Sequence, residues 1–218
     1  MTNDAPEPIL VDRRRLVLAS TSRYRSELMA SLDVEFVTAA PLFDERSLDE
    51  VFERTEPGEF ALLLARGKAA SVAADHPDSL IIAGDQIAVL GESPAVLLHQ
   101  PGNEARAVEQ LMAMAGTTHQ LINGIVVVDT SKPEGSPGRE FTEIDRHRIT
   151  MRPYTRAEAV DYVRRFEPFD CAGGYRIEDD ADLIASVEGE HRSGIIGLPL
   201  PTVARLLRRA GREVRVPK

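Results

Sequence analysis

Short apolar runs alternate along the chain with longer segments in which apolar positions recur at helical spacing. The runs, bounded by polar or glycine-rich turns, predict strands at residues 16–19, 34–37, 80–83 with a continuation at 87–90, 119–128 and 140–152. The helical spacing and capping residues predict helices at residues 23–31, 58–74, 103–115, 155–166 and 199–210. Strands alternating with helices, together with two adjacent long strands, favour an α/β protein with a mixed sheet.

Two polar connections separate these elements. Residues 41–49 form an acidic loop, and residues 130–139, rich in Gly, Pro and Ser, form an exposed connection between the two long strands. The polar segment 1–12 is expected to be a flexible, frayed N-terminus, which leaves residues 13–218 as a single domain.

Composition narrows the class of protein. The 218 residues suffice for one large domain or two closely joined lobes, and a hydrophobic fraction of 43% supports a sizeable core. A net charge of −9 argues against a nucleic-acid polymer as partner, but a small anion needs only a few local cations. A single cysteine, no basic and apolar leader, and no apolar run near the roughly 20 residues of a membrane span predict a soluble cytoplasmic protein.

The segment 18–25, Leu-Ala-Ser-Thr-Ser-Arg-Tyr-Arg, carries the strongest chemical signal in the chain. A strand that turns directly into a helix leaves free backbone N–H groups at the helix N-terminus, and these attract anions. Hydroxyl donors and the two arginines are suited to phosphate. On local chemistry alone, a capped helix with two solvated arginines remains an alternative, because capping serines are common.

Three further residues are candidates for chemistry. Asp85 follows a buried-looking strand and is either a general base or metal ligand, or an aspartate that caps a turn. Glu45 and its neighbour Asp44 are hard oxygen ligands for Mg²⁺ or Mn²⁺, or solvated loop acids. Lys68 lies among small residues and either reaches phosphate or snorkels at the surface.

Two residues are expected to be structural. His119 follows a glycine turn, and we expect a hydrogen-bonded structural histidine rather than a catalyst. Cys171 has no base nearby in sequence and is expected to be a packed small hydrophobe.

Taken in order, the motifs resemble the Maf family of nucleoside triphosphate pyrophosphatases over residues 16–211. They are Leu-Ala-Ser-Thr-Ser at 18–22 with the arginines that follow, Asp-Glu at 44–45, Leu-Ala-Arg-Gly-Lys-Ala at 64–69, Gly-Asp-Gln at 84–86, Ala-Gly-Thr-Thr-His at 115–119, Glu-Pro at 167–168, Cys-Ala-Gly-Gly-Tyr at 171–175 and Gly-Leu-Pro at 197–199. So many motifs in one order make an accidental match improbable. The resemblance implies a central twisted mixed sheet flanked by helices, with two lobes around a nucleotide-binding cleft.

The resemblance also implies a chemistry and its residues. A triphosphate would be cut to monophosphate and pyrophosphate with a divalent metal, Mg²⁺ or Mn²⁺, by a homodimer. Ser20 and Arg25 would bind phosphate, Lys68 would contact it, Asp85 would activate water and help bind the metal, and Glu45 would be the other metal carboxylate.

The same resemblance bears on the substrate. Tyr24, Gln86, Cys171 and Glu178 are similar to the subgroup that prefers 7-methyl-GTP, where an aromatic ring and a carboxylate suit a positively charged purine. The Gly-Gly-Tyr at 173–175 looks more like the subgroup that acts on dTTP and UTP. Gln100 stands where the family usually has lysine, which leaves open a nucleotide-binding regulatory module linked to septum formation.

Overall fold

The structure is a computed structural model that describes residues 14–92, 94–179 and 182–216. The segment 1–12, expected to be frayed, lies outside these residues. The strands are β1 Arg15–Ala19, β2 Val37–Ala39, β3 Ser79–Leu90, β4 Val96–Leu98, β5 Thr118–Asp129, β6 Glu140–Met151 and β7 Ile184–Glu188. The helices are α1 Arg23–Ala30, α2 Asp49–Phe52 (preceded by a 3₁₀ turn, Glu45–Leu48), α3 Pro57–Ala73, α4 Glu104–Met114, α5 Arg156–Phe166, α6 Arg192–Ile196 and α7 Leu200–Arg209.

The seven strands of the described residues belong to one mixed sheet, with the order β2-β1-β3-β5-β6-β7 and with β4 also paired to β3. β5 occupies one edge of β3 along almost its whole length. The other edge is shared: β1 pairs in parallel with residues 79–82, and β4 pairs antiparallel with residues 88–90. The stretch of β3 between these two partners is therefore open on that edge.

Alternating side chains of the sheet meet different helices on its two faces. On one face, called here the α3 face, Ile81 and Ala83 pack with Ala69 and Val72 of α3. On the opposite face, one core at the β1 end includes residues of α1 and α7, and a second core at the β4 end includes residues of α4 and α5. The two cores flank the open stretch of β3, which confirms the predicted mixed sheet flanked by helices.

The long helices lie where the apolar periodicity placed them, within one residue at each end. Thr155 caps α5 in a capping box with Glu158. The last periodic segment is α7, which begins after Pro199.

Two predictions about strands are wrong. The strand predicted at 34–37 is Val37–Ala39, sharing only Val37, because the register with β1 starts there. Asp85 does not follow the end of a strand: β3 continues through it, since β5 pairs with every residue of β3 from Leu80 to Leu90. The sequence also gave no signal for β4, β7, α2 and α6, which are too short to display a periodic pattern. Within the described parts of the chain, no helix is both long and apolar enough to cross a membrane.

Candidate active site

A cleft of about 900 Å³ opens at the uncovered edge of β3. Two walls flank the open stretch of β3. One wall is formed by the start of α1 and the end of α6, and the other by the segments around Gln100 and Cys171. The chain turns into α1 at the end of β1, and the strand order reverses between β1 and β3. The cleft therefore lies at the topological switch point, where open α/β sheets bind ligands. The cleft brings together every residue predicted for the site except Ser20.

The charged cluster is Glu45, Lys68 and Asp85. Lys68 and Asp85 are both buried, whereas Glu45 is half exposed to the cleft. The Lys68 ammonium donates to Asp85 Oδ1 and lies 2.8 Å from Glu45 Oε1. Burial raises the pKa of Asp85 above its ordinary value, and the positive charges of Lys68 and then Arg25 oppose that rise. The cluster thus holds a carboxylate that is a stronger base than a solvated aspartate.

Two glycines allow this cluster to form. Gly124 is the cross-strand partner of Asp85 on β5, and a Cβ there would lie 2.3 Å from the main chain of Ala61, so only glycine lets α3 approach the sheet this closely. The ring of Phe43 covers Gly67 of α3, where a Cβ would come within 2.3 Å of the ring. Because Phe43 is seated there, Glu45 two residues later reaches the lysine that follows Gly67.

The start of α1 forms the wall predicted to bind phosphate. Ser22 is the N-cap and accepts from the Arg25 backbone N–H. The Arg25 side chain lines the cleft, and its Nε donates to the Gly197 carbonyl at 2.9 Å. Ser20 is 6% exposed, and its Oγ accepts from the Ser22 backbone N–H at 3.1 Å. Its contact with phosphate stays a prediction, because Ser20 shapes the turn from behind the cleft wall.

The residues predicted to recognise the base lie around the same cleft. The Tyr24 ring is 45% exposed, and Glu178 lies across the cleft in the segment after Tyr175. Gln86 lines the cleft too, but its Nε2 donates to the carbonyls of Gly194 at 2.8 Å and Ile195 at 3.1 Å. Both donor hydrogens of Gln86 are therefore engaged by α6, which leaves only its Oε1 to face a ligand.

His119 has the surroundings expected of a structural residue. It is buried, its Nε2 is 2.8 Å from the Tyr175 hydroxyl, and burial lowers its pKa to about 4. Cys171 does not match the expected packed small hydrophobe, because it is only partly buried, lines the cleft and donates from Sγ to Asp170 Oδ1. Burial also raises the pKa of Cys171 to about 12, with a further contribution from Asp170, so the thiol is not a ready nucleophile.

Other cleft residues were not predicted. Arg46 lines the cleft beside Glu45, and adjacency to that acid was the one signal available for it. Arg176 also lines the cleft and pairs with Asp179, a contact that only the folded loop creates. Gln100 donates to the Asp170 carbonyl at 2.7 Å and so ties the two segments of one wall together.

A divalent cation in this cleft would need oxygen ligands. Among the described residues, no group of three His, Cys, Asp or Glu side chains could hold a metal without further ligands. Glu45 and Asp85 nevertheless direct carboxylate oxygens at one shared cation, the Lys68 ammonium. Mg²⁺ is commonly held by one or two carboxylates together with substrate phosphates, so this pair fits a metal that arrives with a nucleotide.

Comparisons with known proteins agree on the family of this chain, but the relatives are named for different substrates. The family model described as "Maf-like protein" matches residues 15–210. A protein of Deinococcus radiodurans named "dTTP/UTP pyrophosphatase" is 39% identical over 90% of this chain and 93% of its own length. Two proteins named "7-methyl-GTP pyrophosphatase" are also similar: one of Hahella chejuensis, 33% identical over 100% of both chains, and one of Syntrophotalea carbinolica, 37% identical over 85% of this chain and 89% of its own.

Proposed function

This chain belongs to the Maf family, and we propose that it is a nucleoside triphosphate pyrophosphatase that hydrolyses 7-methyl-GTP to 7-methyl-GMP and pyrophosphate. The observation that carries the proposal is the charged cluster on the floor of the cleft. A buried aspartate with a raised pKa sits there beside a buried lysine, and both face a space large enough for a nucleotide.

Asp85 acts as the general base. Its carboxylate takes a proton from a water molecule as that oxygen forms a bond to the α-phosphorus, and the bond from this phosphorus to the β-bridging oxygen breaks to release pyrophosphate. The raised pKa makes Asp85 a better proton acceptor, while the positive charge of Lys68 opposes that rise in pKa. Lys68, which lines the cleft beside Asp85, supplies positive charge near the phosphates, where negative charge develops on the departing pyrophosphate.

Phosphate binding falls to the wall formed by α1. Arg25 is fixed through Nε by Gly197 and directs the rest of its guanidinium into the cleft, where a fork of N–H donors suits phosphate oxygens. Ser20 supports this wall by shaping the turn, and its hydroxyl hydrogen is a candidate donor to phosphate. Glu45 and Asp85 would hold a divalent cation, which when bound supplies additional positive charge against the phosphates.

Base recognition falls to the outer part of the cleft. N7-methylation gives guanine a positive charge, which the Tyr24 ring face attracts and the Glu178 carboxylate offsets. The Oε1 of Gln86 adds an acceptor between these two walls. These residue types support 7-methyl-GTP over an uncharged pyrimidine.

A pyrimidine nucleotide is the second candidate. The relative named for dTTP and UTP is 39% identical over 90% of this chain, and Gly173 and Gly174 of the pyrimidine-like Gly-Gly-Tyr motif both adopt positive φ, a conformation that favours glycine. A regulatory module with little turnover is the third, favoured only by Gln100, which brings no positive charge to the cleft.

A panel of triphosphates separates the three candidates. Purified protein is incubated with 7-methyl-GTP, GTP, UTP and dTTP, with Mg²⁺ or Mn²⁺, and released pyrophosphate is measured. We expect the highest kcat/KM on 7-methyl-GTP. Strong turnover of UTP or dTTP with none on 7-methyl-GTP would replace the substrate, and binding without turnover of any triphosphate would support the regulatory module.

A variant sharpens the substrate test. Tyr24→Ala removes the ring face, and we expect kcat/KM on 7-methyl-GTP to fall about tenfold, because a cation–π contact contributes roughly 0.5–2 kcal/mol. Turnover of GTP, whose guanine base carries no positive charge, should change far less. Tyr154→Phe is the matched control, since this tyrosine lies in the core of the β4 end and donates to the Leu111 carbonyl. An equal loss on both nucleotides would mean that Tyr24 does not sense the charge.

A further inference from the structure

A row of polar side chains crosses three strands on the face opposite α3. Gln86 of β3 is the register partner of Asn123 of β5, which is the partner of Asp145 of β6. Asn123 and Asp145 are buried, at 0% and 6% exposure. We call these three residues the amide row. Neither Asn123 nor Asp145 lines the cleft, and the chemistry proposed above uses neither of them.

The row is directed at the main chain of α6. Asn123 Nδ2 donates to the Gly194 carbonyl at 2.8 Å and to Asp145 Oδ2 at 2.9 Å. Gln86 Nε2 donates to the same Gly194 carbonyl. Because every contact of the two amide nitrogens is with an oxygen acceptor, the orientation of both amide groups is determined. Asp145 thus holds Asn123 in the orientation that binds α6.

Helix α6 depends on such contacts. It has five residues, too few for a helix to be stable by itself. Gly194 lies so close to the sheet that a Cβ there would be 2.5 Å from Asp145 Oδ2 and 2.3 Å from His147 Nε2, so the helix rests directly on the row. The main-chain carbonyl of Gly197, which caps α6, accepts from Arg25 Nε in the cleft.

We infer that Asn123 and Asp145, together with Gln86, are positioning residues: they anchor α6 so that the Gly197 carbonyl orients Arg25 toward the phosphates. This assignment rests on the proposed function only in giving Arg25 a phosphate. It also gives Gln86 a role besides facing the base, since its donors reach the nucleotide site through α6.

Two variants separate positioning of α6 from general stability. Asn123→Leu removes both donors at similar volume. The double variant Asn123→Asp with Asp145→Asn reverses the hydrogen bond between positions 123 and 145, so that the new amide at 145 donates to the new carboxylate at 123. The donor from position 123 to the Gly194 carbonyl is missing in both variants. Thr130→Val is the control, since it removes hydrogen bonds to main-chain carbonyls at the far end of the sheet.

The first readout is amide hydrogen exchange of the full chain. The N–H groups of Gly194 and Gly197 donate to the carbonyls of His191 and Ser193, so they report on α6 directly. We expect both amides to exchange about tenfold faster in both variants, as for the loss of one buried hydrogen bond, with α7 unchanged. Unchanged exchange at α6 in the double variant would overturn the inference.

The second readout is the affinity for inorganic pyrophosphate with Mg²⁺, measured by calorimetry without turnover. We expect about fivefold weaker binding in both variants and wild-type binding in Thr130→Val. A loosened α6 with wild-type affinity would overturn the link to Arg25. If the wild-type protein does not bind pyrophosphate, the phosphate assignment of the proposed function fails, while the exchange data still decide whether the row anchors α6.

Discussion

Two polar clusters lie back to back at the same position of the central sheet, and they differ in kind. On the α3 face, Asp85 belongs to a charged cluster with Lys68 and Glu45 that opens into the cleft. On the opposite face, the next residue, Gln86, begins a row whose donors are neutral amides and whose main acceptor is a backbone carbonyl. One cluster presents charge to a ligand, and the other binds the protein's own main chain.

The two clusters differ because burial has a different energetic cost for a charged carboxylate than for a neutral amide. Burial disfavours the ionised form of Asp85, a condition retained at sites that transfer protons. An amide carries no net charge, and hydrogen bonds to Asp145 and to the Gly194 carbonyl offset the burial of the Asn123 nitrogen, although Asn123 Oδ1 is buried without a partner among the described residues. We therefore expect the charged cluster to govern rate and the amide row to govern geometry.

Asp85→Asn tests the charged cluster most directly. The variant lacks the base, so we expect kcat to fall about 10³-fold, as for the loss of a general base, with KM nearly unchanged. Steady-state kinetics on the best triphosphate measures both values. Full activity would remove Asp85 from the mechanism.

The same variant predicts a dependence of stability on pH. Because the folded pKa of Asp85 is raised, its contribution to stability is fully present below the unfolded pKa and is lost as pH rises through the folded pKa. Compared with Asp85→Asn, the wild-type protein should therefore gain in melting temperature as pH is lowered from 8 toward about 4, the ordinary range of aspartate. The opposite trend would show that ion pairing outweighs burial.

Lys68→Met tests the electrostatic link inside the charged cluster. Lys68 opposes the rise in the pKa of Asp85, so its removal should raise that pKa further. We expect the acidic limb of the kcat profile to move to higher pH and the rate at neutral pH to fall about 100-fold. Lys132→Met is the control, because Lys132 is exposed in the loop between β5 and β6. An unmoved acidic limb would mean that the titrating group is not Asp85.

Asp145→Asn is the counterpart of Asp85→Asn in the amide row, because both variants replace a buried aspartate by asparagine. An amide oxygen at position 145 can still accept from Asn123, and burial raises the pKa of Asp145, so loss of its charge should cost little. We expect kcat to stay within about threefold of wild type and the free energy of unfolding within about 1 kcal/mol. A loss of rate comparable to Asp85→Asn would erase the distinction between the two clusters.

The sequence anticipated part of the site and missed another part for a physical reason. Asp85, Lys68 and Glu45 stood out because each is an ionisable residue in an apolar or motif context, and the fold does bring them together. Asn123 lies within an apolar strand pattern, and nothing local indicates which helix covers it. Its partner Gly194 is 71 residues away, a contact that no periodic pattern encodes.

The spacing of apolar and polar residues along the chain was enough to predict the long helices, the long strands and a mixed sheet, because these elements depend on local patterns. The resemblance to the Maf family came separately, from the ordered residue motifs. The apolar pattern placed Asp85 after a strand, since glycine and charge interrupt the apolar run there. In the folded protein β3 continues through that point with one edge uncovered, because pairing with β5 outweighs the local break. Continuation of the strand sends Asp85 and Gln86 to opposite faces, so two adjacent residues serve the two clusters.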